Sequence, residues 1–391
     1  MAYASGSLSF TRFAVVGQGP SAVTEDVLER LAEHKVYAPE GVVPDDETWG
    51  WCGGRHLLDE EFSFEANVFN DCLHVGLRLD TNRPPGDLKQ AYILMEEQAA
   101  ASNGFITKSQ KKDAKDVAMR RLDDEKRAGR FRKSRMTSIL WDVGAATVYG
   151  PSSKSLQEKL YELFDRTFGL TLHPLSSGNL ALRKLEGTGR RRDYEDARPT
   201  RFVVGPGGEH EAAEYPWVAK GPQAKDFYGN EFLAWLWWTA ETGGGAVDAK
   251  GVGQVQVFIN NVLDLDCAFG QTGRDTLKHE GPTQMPEARH ALRTGKVPRK
   301  LGATLIGPAQ YTLTLAGESL AVSGLVLPEV EEADSPRVLF EERINLLRDF
   351  GRTLDGLFDE FLKVRAGGKW PAVTNLVRDW ITRNVQRAAA A

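Results

Sequence analysis

Alternating and clustered apolar positions at the start of the chain predict a strand in SLSFTRFAVVG, followed by a helix in TEDVLERLAEHKV. Thr24 stands at the N-cap position of that helix, and Val27, Leu28 and Leu31 fall on one face at the helical period. FSFEANVFNDCLHVGLRLDT alternates as one or two strands, and NRPPGD ends it. From Gly86 to about Gly129 the period becomes helical. The two pieces are DLKQAYILMEEQAAASNG and TKSQKKDAKDVAMRRLDDEKRAG, with Thr107 or Ser109 placed to cap the second. MTSILWDVGAATVYG returns to strand. SSKSLQEKLYELFDRTFGL then carries Leu156, Leu160, Leu163, Phe164 and Phe168 on one side of a helix.

The pattern weakens over residues 176–225, where glycine, proline and charge dominate and loops with short strands are expected. GNEFLAWLWWTAETGGG follows, a helix apolar on nearly every face and therefore buried, closed by glycines. Trp235, Trp237 and Trp238 within it could serve as a base-stacking platform, but so little polar surface argues for core. VGQVQVFINNVLDLDCAF reads as a hairpin turning near Asn260-Asn261. A short helix stopped at Gly295, a strand, and the hairpin-like QYTLTLAGESLAVSGLVLP come next. The C-terminus is helical, with Leu339, Ile344, Leu347, Phe350, Leu354, Leu357, Phe358, Phe361 and Leu362 spaced for packing. The expected class is α+β, with short-stranded mixed sheets and long helices. Its expected divisions are an N-terminal α+β region 1–185, a loop-rich linker 186–225, a second α+β subdomain 226–330 and C-terminal helices 331–391.

Composition narrows the class further. At 391 residues the chain exceeds what one core usually supports, and 41% apolar with 26% charged residues describes a folded chain rather than a disordered one. No apolar run is long enough for a membrane span, and MAYASGSLSFTRFAVVG lacks the basic start of a signal peptide, so a cytoplasmic protein is expected. Three scattered cysteines, Cys52, Cys72 and Cys267, fit reduced buried thiols and form neither a disulfide framework nor a zinc motif.

Charge is distributed unevenly. Residues 111–135 hold 11 lysines and arginines against 5 acids, a net of +6 in a chain of net −5, so the remainder carries −11. Some of the excess can pair at helical spacing, as Asp116 with Arg120 or Asp123 with Lys126 or Arg127. The rest cannot, and Lys108, Lys111, Lys112 and Lys115 share one helical face. Arg130, Arg132, Lys133 and Arg135 follow Gly129 into the next strand, and a continuous cationic strip facing a polyanion is expected.

Catalytic motifs are few. GQGPSAV and VGPGGEH do not continue into a phosphate-binding loop, and GEHEAAEY has Glu214 where a zinc protease needs its second histidine. No GxSxG elbow occurs, and the 7 histidines, His173 and His290 among them, are scattered. Asp264 and Asp266 share one side of a strand, with Lys278 and Glu280 downstream, the spacing of a metal-dependent nuclease. Simple strand alternation explains the same pair, with Leu263, Leu265 and Cys267 inward. No catalytic residue, metal ligand or cofactor is assigned.

LRLDTNRPPGDLKQAY, the basic helix, GRFRKSRMTSILWDV and SSKSLQEKLYELFDRTFGLTLHPL stand in an order that resembles the RdgC family of recombination-associated proteins. The likeness covers most of residues 10–185, with Gly50-Trp51, the segment before Trp141-Asp142 and LFDRTFGL at 163–170. It resumes in EARHALRTGKVPRKLGATL around Gly295-Lys296, while residues 186–260 have no counterpart. The resemblance implies a horseshoe-shaped protomer that closes into a homodimeric ring around double-stranded DNA, binding it without sequence preference. It implies a nucleoid-associated protein that restrains recombination, meeting a RecA-type recombinase only indirectly through DNA. By position it implies DNA contacts from Lys108, Lys111, Lys112, Lys115, Arg120, Arg121, Lys126 and Arg127. Arg130, Arg132, Lys133 and Arg135 fall nearer a subunit contact, Phe131 and Arg132 at the dimer interface, and Lys278 on its opposing side. A third use, docking of another recombination factor on helix 336–365, competes with simple packing of that helix.

Overall fold

The computed structural model describes residues 3–36, 46–101, 104–203, 214–218, 225–270, 272–330 and 333–383. In the first half of the chain these form β1 (Leu8–Val16), α1 (Glu25–Glu33), β2 (Glu47–Cys52), α2 (Phe64–Asn67), β3 (Val68–Phe69) and β4 (Cys72–Asn82). Then come α3 (Gly86–Ala100), α4 (Lys108–Arg127), β5 (Arg132–Asp142), β6 (Thr147–Gly150), α5 (Lys154–Phe168) and β7 (Thr171–Pro174). The second half holds α6 (Ser177–Gly187), α7 (Arg191–Asp196), α8 (Phe227–Thr242), β8 (Ala246–Ala249), β9 (Gly253–Cys267) and β10 (Asp275–His279). It continues with α9 (Pro286–Arg293), β11 (Lys296–Ile306), β12 (Gln310–Ala316), β13 (Val322–Val326), α10 (Pro336–Arg365) and α11 (Trp370–Thr382). Antiparallel sheets and segregated helices make this an α+β protein. Among the described residues no helix is long and apolar enough to cross a membrane.

The chain forms two compact units. Gly17–Ala145 and Ser155–Thr171 make the first, whereas β1, Ala146–Lys154 and the chain from Leu172 onward make the second. In the first unit β4 lies between β2 and β5, with β3 paired to its start. Side chains directly opposite across antiparallel strands share a face, so Trp51 lines up with Leu77 and Leu77 with Thr137. The helix face anticipated on α5 covers this side. Its Phe164 and Phe168 rings lie 5.0 and 5.2 Å from Trp141, and Thr167 accepts a 2.8 Å bond from the Trp51 indole. α1 buries Val27, Leu28 and Leu31, as its spacing predicted, although the Thr24 side chain makes no capping bond.

In the second unit the antiparallel order is β10, β9, β11, β12, β13, β1, β6, with β8 on β9 and β7 on β1. α8 packs on β9 and β11. Trp235 and Trp237 are buried and Trp238 partly so, in keeping with the core role expected of this helix. The predicted stripe on α10 closes the same core, Phe232 lying 5.1 Å from Phe358 and Tyr311 5.4 Å from Phe350.

Two expectations fail. Asn260-Asn261 is no turn: β9 runs unbroken from Gly253 to Cys267, and Asn261 takes φ 64° inside it. The register with β11 slips there, between Leu301 and Ala303. The residue opposite is Gly302, where a Cβ would meet the Asn260 carbonyl oxygen at 2.2 Å, so the glycine admits the bulge. The stretch after residue 176 is also not loop throughout. Ser176 accepts from the Asn179 amide and caps α6, which buries Leu180, Ala181 and Leu185, and α7 follows.

Candidate nucleic-acid interface

The cationic segment sits on a projecting arm. β4 and β5 end together at the pair Asn82–Arg132, and the chain between them leaves as α3 and α4. These two helices pack chiefly on each other. α3 buries no residue at all, and α4 buries only Ala114, Ala118 and Leu122. Local chemistry sets both ends of α4. Thr107 accepts from the Gln110 amide at 3.3 Å while the Gln110 side chain accepts from the Thr107 amide at 2.9 Å, a complete capping box. At the far end Gly129 takes φ 73°. Its amide donates to the Lys126 carbonyl and that of Arg130 to the Glu125 carbonyl, the paired closure of a left-handed C-terminal glycine. Asn82 anchors the arm to the sheet by donating to the Lys126 carbonyl at 3.1 Å.

The sequence-predicted cations do not form one strip. With successive residues about 100° apart around the helix, Lys108, Lys111, Lys112 and Lys115 occupy one flank of α4. All four are exposed, and none forms an ion pair among the described residues. Arg120 and Arg127 lie about a third of a turn further round, facing away from the buried Ala114, Ala118 and Leu122 and among Asp113, Asp116, Asp123 and Asp124. Arg121 is exposed but engaged, its guanidinium 4.1 Å from the Tyr92 ring and 3.7 Å from Glu125. Lys126 is half-buried and paired with Asp46, and Arg130 pairs with Glu125 at 3.0 Å. Arg132, Lys133 and Arg135 are exposed on β5, but strand alternation sends Lys133 and Arg135 to one face and Arg132 to the other. Lys108, Lys111, Lys112 and Lys115 therefore form a continuous cationic flank along the first half of α4.

The two interface candidates fall in different units. Phe131, between α4 and β5, is only 9% exposed. Lys278 belongs to the second unit, exposed on the outermost strand β10 opposite Val262. Sequence reasoning also missed a feature of the arm. Leu94, Met95 and Val117 are about half exposed, and Phe105, between the two helices, is 85% exposed. The signal was present in AYILM, whose apolar residues wrap too far round α3 for a single partner helix to cover.

The acidic pair on β9 is engaged by cations. Asp264 is buried, pairs with Arg274 and accepts from the Thr276 hydroxyl at 2.6 Å. Asp266 is held by Arg299 at 3.2 Å and accepts from the Cys267 amide at 2.9 Å. Lys278 pairs two positions away from Asp264 along the ladder. Among the described residues no group of three or more histidine, cysteine, aspartate or glutamate side chains is arranged to hold a metal ion. His210 and Glu211 lie outside the described residues. No family model and no curated protein matches the chain.

Proposed function

We propose that the protein binds double-stranded DNA without sequence preference, through the lysine flank of α4, and is a binder rather than an enzyme. The observation that carries this reading is the set of four exposed lysines, Lys108, Lys111, Lys112 and Lys115, free of ion pairs on one side of an arm that packs chiefly on itself. They span about 10 Å of helix, and flexible ammonium groups at that spacing suit a phosphate backbone and carry no base code. The ordered likeness to RdgC proteins supports the wider reading: a homodimeric ring that encircles duplex on the nucleoid and restrains RecA-type strand exchange by occupying DNA. Net negative charge on the remainder of the chain would keep other surfaces off the DNA.

The test is salt dependence. Four phosphates neutralised per protomer give a slope of about −3.6 in log affinity against log salt, or on the order of 100-fold loss between 50 and 200 mM. Lys111→Glu, Lys112→Glu and Lys115→Glu together should weaken binding to every sequence alike, and Arg120→Glu with Arg127→Glu much less. A salt-independent affinity, or a loss confined to one sequence, overturns the reading.

A further inference from the structure

We infer that Phe105 is a base-stacking residue, so that the end of the arm takes DNA with unpaired or unstacked bases in preference to intact duplex. This rests on the DNA-binding reading and sharpens what that surface binds. Phe105 is the most exposed of the large apolar side chains among the described residues, at 85%. The same fold buries Phe10, Phe13, Phe164, Phe232, Phe350 and Phe358 completely, so packing does not explain a ring left in water. Its position is fixed from one side, because the capping box begins two residues later at Thr107. The four unpaired lysines begin three residues later, at Lys108.

An exposed ring at the head of a cationic flank has the composition of a single-strand site, in which cations track the backbone and the ring takes a base on its face. Every base has such a face, so stacking adds affinity without adding sequence preference. In intact duplex the ring would first have to open a base step. At a gap or a single-stranded end that step is already open, and the preference follows.

The experiment compares the full chain on an intact duplex and on the same duplex with a short single-stranded gap, by fluorescence anisotropy at fixed salt. The gapped form should bind about 5- to 150-fold tighter, the worth of one base stacked on an aromatic ring. Phe105→Ala should remove that difference and leave duplex affinity unchanged, while Phe105→Trp keeps it. With 5-iodouracil in the gap, irradiation should join the base to Phe105, as located by peptide mass spectrometry. A gap preference that survives Phe105→Ala, or a cross-link elsewhere, overturns the inference. So does a variant that changes only the sedimentation of the protein, which would make Phe105 a protein contact. If Lys111→Glu with Lys112→Glu also leaves both affinities intact, the DNA-binding reading fails with it. If those lysine changes abolish binding and Phe105→Ala changes nothing, only the stacking role fails.

Discussion

The Arg121 guanidinium lies 4.1 Å from the centre of the Tyr92 ring, and the Tyr92 hydroxyl donates to Glu125 at 2.9 Å. Arg121 thus helps hold α3 against α4, whereas Lys111 and Lys112 have no such partner. The two kinds of cation should separate in experiment. Arg121→Ala loses a cation–π contact worth about 0.5–1 kcal/mol at an exposed site. Hydrogen exchange across residues 86–127 should quicken while the salt slope of DNA binding stays the same. Lys111→Ala should do the reverse, lowering the slope by about 0.9 and leaving exchange unchanged. If Arg121→Ala flattened the slope instead, the DNA-facing side of the arm would have to be moved toward Tyr92.

What was legible in the chain was what local chemistry decides. The ends of α4 could be read from Thr107 with Gln110 and from Gly129, since a cap and a left-handed glycine depend on neighbours within a turn. The face of α10 and the burial of α8 followed from period and composition alone. What depended on distant residues was lost. Asn260-Asn261 was read as a turn, but the positive φ of Asn261 belongs to a bulge inside β9, which Gly302 on the neighbouring strand admits. Helical spacing grouped the cations into faces, yet could not say that Arg121 would turn to Tyr92 or Lys126 to Asp46, because both partners come from other elements. α6 was hidden by the surrounding glycines and charges, although Leu180, Ala181 and Leu185 already had the helical period.

His74 on β4 is fully buried, and burial pushes its imidazole down to about 4. The folded protein holds it neutral, while the unfolded chain takes up a proton near the ordinary value of about 6.5. Between those values the unfolded state binds more protons, so the contribution to stability is complete above about pH 6.5 and is lost as the pH falls toward 4. The full loss is on the order of 3 kcal/mol. Urea midpoints measured from pH 7.5 to 4.5 should fall on this account, and His74→Gln should flatten that part of the profile. An unchanged profile in the variant would assign the acid sensitivity to other groups.

Glu231 on α8 and Arg365 on α10 form a buried ion pair at 2.5 Å, with side-chain exposures of 0% and 9%. The pair is further satisfied by the Thr200 amide, which donates to Glu231 at 2.6 Å, and by the Arg198 carbonyl, which accepts from Arg365 at 2.6 Å. Removing one partner strands the other charge in a dry site. Glu231→Ala should therefore cost about 3–5 kcal/mol in urea unfolding. Glu231→Met with Arg365→Met should cost much less than the two single changes added together, since no unpaired charge remains. Additive costs would mean that solvent reaches the pair and that it contributes little.

Asp264 offers the sharpest test between binder and enzyme. A metal-dependent nuclease needs carboxylate oxygens free to take a cation. Both oxygens of Asp264 are occupied, one by Arg274 and the other by the Thr276 hydroxyl, and Asp266 is shared between Arg299 and its own strand. Opening the site to Mg²⁺ would release Arg274 and leave a guanidinium beside the incoming ion, so the arrangement serves to join β9, β10 and β11. End-labelled duplex incubated with Mg²⁺ or Mn²⁺ should accordingly keep its full length. Asp264→Asn should lower the urea midpoint, because Arg274 loses its charged partner, and should leave DNA affinity and its salt slope intact. Shortening of the duplex that disappears in Asp264→Asn would reverse the assignment and make β9 the centre of a cleavage site.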